Sequence, residues 1–262
     1  MSLHVELRGQ GPDLVLLHGW ALHGGMWGPW LDELERHARL HVLDLPGHGR
    51  SDWSVGTGDL AGLARAVFPC VPRGAAILGW SLGGMLALEL ARQHPRHLRA
   101  LLLVATTPKF LAGADWEHGL QPEVLAEFTH GLEQDYRRTV HNFLALQTRG
   151  DERAHETLRL LRAGLAAHGE PDRRSLAAGL DILRDTDLRD ALPHITLPAL
   201  VVAGEHDRLT PPAAGHELAA RLTAARFHLV GRSGHAPFLS HPAAVLAEVT
   251  AFLSRHPPAE AA

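Results

Sequence analysis

The chain has 262 residues, of which 45% are hydrophobic and 21% charged, and this composition excludes a disordered, collagen-like or coiled-coil protein. Its single cysteine excludes a disulfide framework and a cysteine-rich zinc site, and a net charge of −4 disfavours general attraction to nucleic acid. The first residues show no basic segment followed by an apolar stretch, and no apolar run reaches about 18 residues. We therefore expect a cytoplasmic protein that does not span a membrane.

Short apolar runs alternate with helical patterns along most of the chain. The runs are residues 13–19, 40–45, 75–79, 100–105, 199–204 and 226–230. Continuous runs of Val, Leu and Ile are typical of parallel strands that are buried on both faces. Helical patterns at 82–94, 213–222 and 242–253 complete an order that predicts an α/β protein with a mostly parallel, doubly wound sheet. Residues 3–8 are expected to add an antiparallel edge strand.

The stretch from about residue 110 to residue 190 breaks this alternation. It contains no strand-like run, and its patterns predict helices at 122–146, 151–167 and 174–184. We therefore predict a helical cap, residues 109–190, inserted between two strands of a core formed by residues 1–108 and 191–262.

The pattern Gly79-Trp80-Ser81-Leu82-Gly83 follows a predicted strand and precedes a predicted helix. This is the context of a nucleophile elbow, in which a tight turn exposes a serine at the end of a strand. Glycine is expected on both sides because a side chain would clash with neighbouring backbone. The backbone N–H of Leu82 would lie at a helix N-terminus and could donate to an oxyanion.

A serine hydroxyl is a weak nucleophile and requires a base and an orienting acid. In this architecture the acid and then the histidine follow the serine along the chain. Asp207 comes directly after the predicted strand 199–204, with Glu205 and His206 as neighbouring rivals. His235 follows the run 226–230 and is preferred to His241, because Pro242 marks a helix start at that point. The predicted catalytic residues are Ser81, Asp207 and His235.

His18-Gly19-Trp20 follows the first predicted parallel strand. In such folds this loop supplies the second oxyanion donor, so we expect the backbone N–H of Trp20 in that role and its indole in the acyl pocket. The alternative is that Trp20 is a packing aromatic.

These motifs together resemble the α/β-hydrolases. HGW, DLPGHGRS, GWSLGG, GEHD and GHAPFLSHP carry the general likeness, whereas FLALQT at 143–148 and HAPFLSHP are similar to the pimeloyl-[acyl-carrier protein] methyl ester esterases of biotin synthesis. The resemblance implies a serine carboxylesterase that releases methanol from a pimeloyl chain held on acyl-carrier protein. It also implies a set of substrate contacts: Trp20, Ser81, Leu82, Phe143, Leu144, Ala145, Leu146, Gln147 and His235. Asn142 departs from the family, in which a basic residue is common at this position.

The predicted cap is locally basic in an acidic chain. Between residues 137 and 174 it has eight Arg against five Asp or Glu. Such a face would suit an acidic carrier protein, and Arg138 and Arg159 are the residues we expect to contact it. The alternative is a solvated helix with local ion pairs such as Arg153–Glu156 and Glu156–Arg159.

Other functions are less consistent with these patterns. A small-ester or lactone hydrolase shares the same motifs, and a non-catalytic binding homologue would not need the complete Ser, Asp and His order. Serine at position 81 disfavours a dehalogenase, and the chain has neither a P-loop nor a dinucleotide-binding GxGxxG after its first strand. We expect no cofactor and no metal, no nucleic acid or membrane partner, transient binding to the carrier protein, and a monomer.

Overall fold

The computed structural model describes residues 2–258, and within that range seven strands form one sheet. The strands are β1 (Val5–Arg8), β2 (Asp13–Leu17), β3 (Arg39–Leu43), β4 (Ala75–Trp80), β5 (Leu98–Val104), β6 (Ala199–Gly204) and β7 (Ala225–Val230). Their order across the sheet is β1-β3-β2-β4-β5-β6-β7. β1 pairs with β3 in the antiparallel sense and all the other pairs are parallel. The predicted α/β class, the parallel sheet and the antiparallel edge strand are therefore confirmed.

Helices connect the strands and cover both faces of the sheet. They are α1 (Trp30–Leu34), α2 (Leu60–Val67), α3 (Leu82–Gln93), α4 (Pro122–Gln147), α5 (Ala154–Ala167), α6 (Arg173–Asp185), α7 (Pro212–Arg221), α8 (Pro237–Ser240) and α9 (Pro242–Arg255). The sequence patterns did not predict α1, α2 and α8. The expected start of α5 at residue 151 was wrong by three residues, because the Asp151 carboxylate accepts the N–H of Arg153 and holds a turn there.

Two apolar layers sandwich the sheet, as the alternation of side chains along its strands requires. Val15 and Leu17 of β2 belong to one layer, whereas Leu14 and Leu16 belong to the other. Every residue of β4 and of β6 is buried. These central strands therefore form a rigid base, and their carboxyl ends lie along one edge of the sheet, where ligand sites form in such folds.

Three helices, α4, α5 and α6, lie between β5 and β6 and are called the inserted helices below. α4 is bent at Asp135, whose backbone angles (φ −149°, ψ 87°) leave the helical region. α6 and α5 both pack against α4, and α5 also contacts the short 3-10 helix Gly24–Trp27. The division into a core and a cap at residues 109–190 stays a prediction. None of the helices in residues 2–258 is both long and apolar enough to cross a membrane.

Candidate active site

Ser81 lies in the tight turn between β4 and α3, as the elbow motif predicts. Its backbone has φ 56° and ψ −119°, a left-handed conformation that is strained for a residue with a side chain. Two hydrogen bonds hold the backbone there: Ser81 N–H donates to Val104 O over 3.0 Å, and Thr106 Oγ1 donates to Ser81 O over 2.7 Å. These two hydrogen bonds therefore hold Ser81 in its strained conformation at the carboxyl end of the central strand.

The glycines of the elbow allow a close backbone approach. A Cβ atom at Gly79 would lie 2.3 Å from Gly83 O, and one at Gly83 would lie 2.1 Å from Leu17 O. No side chain fits at either position, which agrees with the steric reason for the GxSxG pattern given above.

Asp207 and His235 meet at the same edge of the sheet. His235 Nδ1 lies 2.7 Å from Asp207 Oδ2, and both side chains are almost fully buried. Asp207 follows β6 and His235 follows β7, two neighbouring parallel strands, so the topology brings together residues that are 28 positions apart in the sequence. The rivals lie elsewhere: Glu205 accepts Arg232 N–H, His206 Nδ1 lies 2.7 Å from Gly150 O, and His241 caps α9 and lies 2.9 Å from Glu152.

Thr210 completes the surroundings of the Asp207 carboxylate and was not identified from the sequence. Its hydroxyl donates to Asp207 Oδ2 over 2.7 Å, while the backbone N–H groups of Leu209 and Thr210 donate to Oδ1. These donors are matched to a charged carboxylate. An Asp followed three residues later by Thr is a local turn pattern that could have indicated this contact.

The site is enclosed. Ser81 is 6% exposed and His235 is 1% exposed, and His235 Nε2 has no hydrogen-bond partner in residues 2–258. With Nδ1 directed to Asp207, Nε2 is the ring nitrogen left free to exchange a proton. The indole N–H of Trp80 donates to His235 O over 2.8 Å, so the residue before Ser81 holds the histidine backbone.

The predicted oxyanion donors lie on the two sides of Ser81. Leu82 is the first residue of α3, where a helix has no carbonyl from a preceding turn to accept its N–H. Gly19 approaches so closely that a Cβ there would lie 3.2 Å from Ser81 Cβ, and Trp20 comes next in this loop. The Trp20 indole donates to Leu176 O over 2.9 Å and meets Phe143 edge to face at 4.7 Å, so it also ties the loop to α6 and α4.

A buried histidine fixes the start of this loop. His18 Nε2 accepts the N–H of Leu45 over 2.9 Å, so Nδ1 carries the hydrogen and donates to Gly19 O over 2.8 Å. Burial lowers the pKa of His18 from 6.5 to about 3, and burial lowers the pKa of the neighbouring His48 to about 4. Both rings are therefore neutral at pH 7, and His18 links the loop at Gly19 to the backbone of Leu45 by two hydrogen bonds.

The structure brings only some of residues 143–147 towards the site. Phe143 packs on Trp20, and Leu144 is fully buried in the apolar layer that also contains Trp80 and Ala236. The side chain of Ala145 is exposed, so it takes no part in the enclosed site. Leu146 is half-buried and lines a groove of about 550 Å³ with Arg138 and Asn142. Leu146, one of the substrate contacts that the resemblance implies, therefore borders this groove.

Gln147 is the residue of this group whose buried side-chain amide lacks hydrogen-bond partners within residues 2–258. Its side chain is 1% exposed, and neither its oxygen nor its nitrogen has a hydrogen-bond partner in the described part of the chain. Its backbone O accepts the N–H of His235 over 2.9 Å, which places Gln147 beside the histidine. A buried amide without partners is unfavourable, so this side chain suits contact with a polar group of a ligand.

The basic residues of the inserted helices are only partly paired. Arg137 pairs with Glu170 and Arg174 with Asp172, whereas Arg138 and Arg159 are exposed and form no ion pair within residues 2–258. The Arg153–Glu156 and Glu156–Arg159 pairs of the alternative interpretation do not form in the described residues, so the guanidinium groups of Arg153 and Arg159 are available to a partner.

Comparison with known proteins agrees with this fold. Residues 12–242 match the sequence profile of the alpha/beta hydrolase fold. The chain is 43% identical over 255 residues to the pimeloyl-[acyl-carrier protein] methyl ester esterase of Xanthomonas campestris pv. campestris strain B100, which covers 97% of this chain and 100% of the relative. It is 40% identical to the enzyme of the same name from Vibrio vulnificus strain YJ016, over 97% of this chain and 99% of the relative.

Among solved structures, the enol-lactonase from Burkholderia xenovorans LB400 superposes with a TM-score of 0.83 at 25% identity, covering 96% of both chains. The fold, the near-complete coverage and the level of identity lead to one assignment. This chain belongs to the α/β-hydrolase family and, within it, to the family of the pimeloyl-[acyl-carrier protein] methyl ester esterases, and it is a carboxylic-ester hydrolase.

Proposed function

We propose that this protein hydrolyses the methyl ester of pimeloyl-[acyl-carrier protein] in biotin synthesis, giving pimeloyl-[acyl-carrier protein] and methanol. The proposed substrate rests on the 43% identity, over essentially the whole length, to relatives named for this reaction. The proposed chemistry rests on the buried contact between His235 Nδ1 and Asp207 Oδ2, at the same edge of the sheet as the strained Ser81.

In the proposed mechanism Ser81 Oγ attacks the ester carbonyl while His235 Nε2 accepts its proton. The N–H groups of Trp20 and Leu82 stabilise the oxyanion, and His235 then donates the proton to the departing methoxide. Water enters and is deprotonated by His235, and its attack on the acyl-enzyme releases the carboxylic acid and regenerates Ser81. Asp207 holds the imidazole in the required tautomer throughout.

The acyl chain would lie beneath the inserted helices. Phe143 and Leu144 supply apolar surface, and the unpartnered amide of Gln147 supplies the polar contact. Arg138 and Arg159, both exposed and without ion pairs in the described residues, would contact the acidic carrier protein transiently. A cytoplasmic location and a monomeric state remain the predictions made from the sequence.

Growth without biotin tests this function. Expression of the gene in a bacterial strain that lacks its own pimeloyl-carrier methyl esterase should restore growth on medium without biotin. The Ser81→Ala variant, expressed at the same level, should not restore it. Failure of the intact protein, when it is folded and expressed, would contradict the proposal.

A further inference from the structure

The segment that connects α4 to α5 lies against the loop that carries the histidine. We define the connecting segment as residues 147–152 and the histidine loop as residues 231–241. Gln147 O accepts His235 N–H over 2.9 Å, and Glu152 N–H donates to Arg232 O over 2.9 Å. The Glu152 carboxylate adds contacts with Arg232 and His241 at 3.0 and 2.9 Å. The histidine loop is therefore bound along its length by the last residue of α4 and by residues that follow it.

Asp151 is the buried member of this contact. Asp151 is 7% exposed, and its carboxylate forms no ion pair within residues 2–258. Oδ2 accepts the N–H of Gly234 over 3.1 Å, and Oδ1 accepts the N–H of Arg153 over 2.7 Å. A buried carboxylate with no cation requires such donors, so the two backbone N–H groups and the carboxylate stabilise one another.

The backbone of Gly234 approaches the connecting segment too closely for a side chain at this position. A Cβ atom there would lie 2.6 Å from Gln147 O and 3.4 Å from Asp151 Cβ. Asp151 thus accepts the N–H of Gly234, the residue directly before His235, while Gln147 O accepts the N–H of His235 itself. On the other side, the indole N–H of Trp80 holds His235 O. Two consecutive amide groups of the histidine loop are therefore fixed from the inserted helices and one carbonyl is fixed from the core.

We propose that Asp151 is a positioning residue, which fixes the backbone at Gly234 and so holds His235 Nε2 in line with Ser81. The proposal rests on the proposed role of His235 as the general base. Because the contact comes from the connecting segment, placement of the base depends on where α4 and α5 hold this segment. Loss of alignment by a fraction of an ångström at a base lowers the rate of proton transfer without removing substrate contacts.

Three variants test this role: Asp151→Ala, Asp151→Asn and, as a matched control, Asp172→Ala. Asp172 also accepts an N–H two residues ahead, from Arg174, but its side chain makes no contact with the histidine loop. The readouts are kcat and KM on a p-nitrophenyl ester, the rate of Ser81 labelling by a fluorophosphonate, and near-ultraviolet circular dichroism as a check of folding.

Asp151→Ala should lower kcat by about 10- to 100-fold with KM changed less than about twofold, because only the alignment of the base is affected. The labelling rate should fall in the same proportion. Asp151→Asn keeps one oxygen, which can accept Gly234 N–H, but its NH2 group then faces the N–H of Arg153. This variant should therefore lower kcat by less than Asp151→Ala, with KM nearly unchanged. If the alanine variant does not fold, a folded Asn variant in which KM rises as much as kcat falls would contradict the positioning role.

Two results would overturn the proposal. One is a folded Asp151→Asn variant with kcat as low as that of Asp151→Ala, which would show that an oxygen acceptor for Gly234 N–H does not restore the alignment. The other is a folded Asp151→Ala variant with unchanged kcat, or with the same small loss as Asp172→Ala. His235→Ala is measured alongside: if that variant stays active, the proposed mechanism itself fails, whereas an inactive His235→Ala with an unaffected Asp151→Ala contradicts only the positioning role.

Discussion

The hydroxyl of Thr210 donates to the same oxygen of Asp207 that faces His235, with Oγ1 2.7 Å from Oδ2. It also lies 3.3 Å from His235 Nδ1. The carboxylate therefore stands at the centre of a buried group of donors: a hydroxyl, two backbone N–H groups and the imidazole. We expect the orientation of His235 to depend on these contacts.

Replacing Thr210 tests this arrangement. Thr210→Val keeps the shape and removes the hydroxyl, so one charge-assisted hydrogen bond worth about 1.5–3 kcal/mol is lost from the Asp207 carboxylate. We expect kcat to fall by roughly 10-fold, which corresponds to about 1.4 kcal/mol of that free energy serving to orient the imidazole. Thr210→Ser, which restores the hydroxyl, should be close to the intact enzyme. Equal activity of the Val and Ser variants would show that the hydroxyl has no part in orienting Asp207.

Replacing the proposed nucleophile, base or acid should lower kcat, by a factor that depends on the residue. Ser81→Ala and His235→Ala should each lower kcat on the order of 10⁴-fold, and Asp207→Asn by an equal or smaller factor, with folding preserved. Steady-state kinetics and thermal unfolding of the three variants provide the measurement. Near-normal turnover by Ser81→Ala would rule out the acyl-enzyme mechanism.

Phe143 should influence the preference for acyl-chain length. Its ring is 4% exposed and packs on Trp20, so Phe143→Ala removes apolar surface from the region where the acyl chain would bind. Each methylene buried there contributes roughly 0.8 kcal/mol, so kcat/KM should fall more for octanoyl than for acetyl p-nitrophenyl esters. Phe68→Ala is the control, because Phe68 stacks on His94 away from the site. A uniform loss across chain lengths would indicate general damage to the fold.

Charge reversal on the inserted helices should affect only the carrier-bound substrate. Arg138→Glu with Arg159→Glu should lower kcat/KM for the carrier-bound ester and leave a free p-nitrophenyl ester nearly unchanged. Added salt should reproduce this loss in the unmodified protein, because exposed charges are screened beyond about 8 Å at physiological ionic strength.

The matched control is Arg73→Glu with Arg96→Glu. Both arginines are exposed and precede the amino ends of β4 and β5, at the edge of the sheet opposite the site. The control should leave both activities unchanged. Equal losses on the two substrates in the Arg138 and Arg159 variant would mean that the substitutions disturb the site rather than carrier binding.

The buried histidines predict a loss of stability in mild acid. Burial holds the pKa of His18 at about 3 and that of His48 at about 4, whereas both would be 6.5 in the unfolded chain. Between pH 6.5 and these values the unfolded chain therefore binds protons that the folded chain does not. Above about pH 6.5 these two rings are neutral in both states and do not lower the free energy of unfolding. Below that pH the free energy of unfolding decreases by up to about 1.4 kcal/mol per pH unit for each histidine.

Urea unfolding at pH 7.5, 6 and 5 measures this effect. The free energy of unfolding should decrease steadily over this range, and His48→Gln should show a smaller decrease than the unmodified protein. His130→Gln, at an exposed position on α4, should show the same decrease as the unmodified protein. An unchanged pH dependence in His48→Gln would mean that this ring does not contribute to the acid sensitivity.

The sequence was sufficient to predict those parts of the fold that depend on local pattern. The strands are continuous apolar runs, and Ser81 lies between glycines that no other residue could replace, so both could be recognised directly. Asp207 and His235 could be identified because each follows a predicted strand, and the parallel sheet then brings them together.

Contacts made between distant segments could not be predicted in the same way. Asp151 appeared as the first residue of a helix, but its carboxylate binds Gly234, which is 83 residues away. Leu146 shares a helical spacing with Phe143, but α4 is bent at Asp135 and packs on two other helices, so spacing alone did not determine which side chains are buried. Thr210 has a local signal in its distance from Asp207, although its significance depends on the position of His235.

The most direct test of the central claim is the specificity of the purified protein for its carrier-bound ester. Methanol release and conversion of pimeloyl-[acyl-carrier protein] methyl ester to the free carboxylic acid are followed by mass spectrometry, and kcat/KM is compared with that for p-nitrophenyl acetate. We expect the carrier-bound ester to be preferred by at least about tenfold, the ratio that 1.4 kcal/mol of additional binding free energy gives, and Ser81→Ala to abolish its hydrolysis. A protein that hydrolyses p-nitrophenyl acetate but leaves the carrier-bound methyl ester intact would contradict the account.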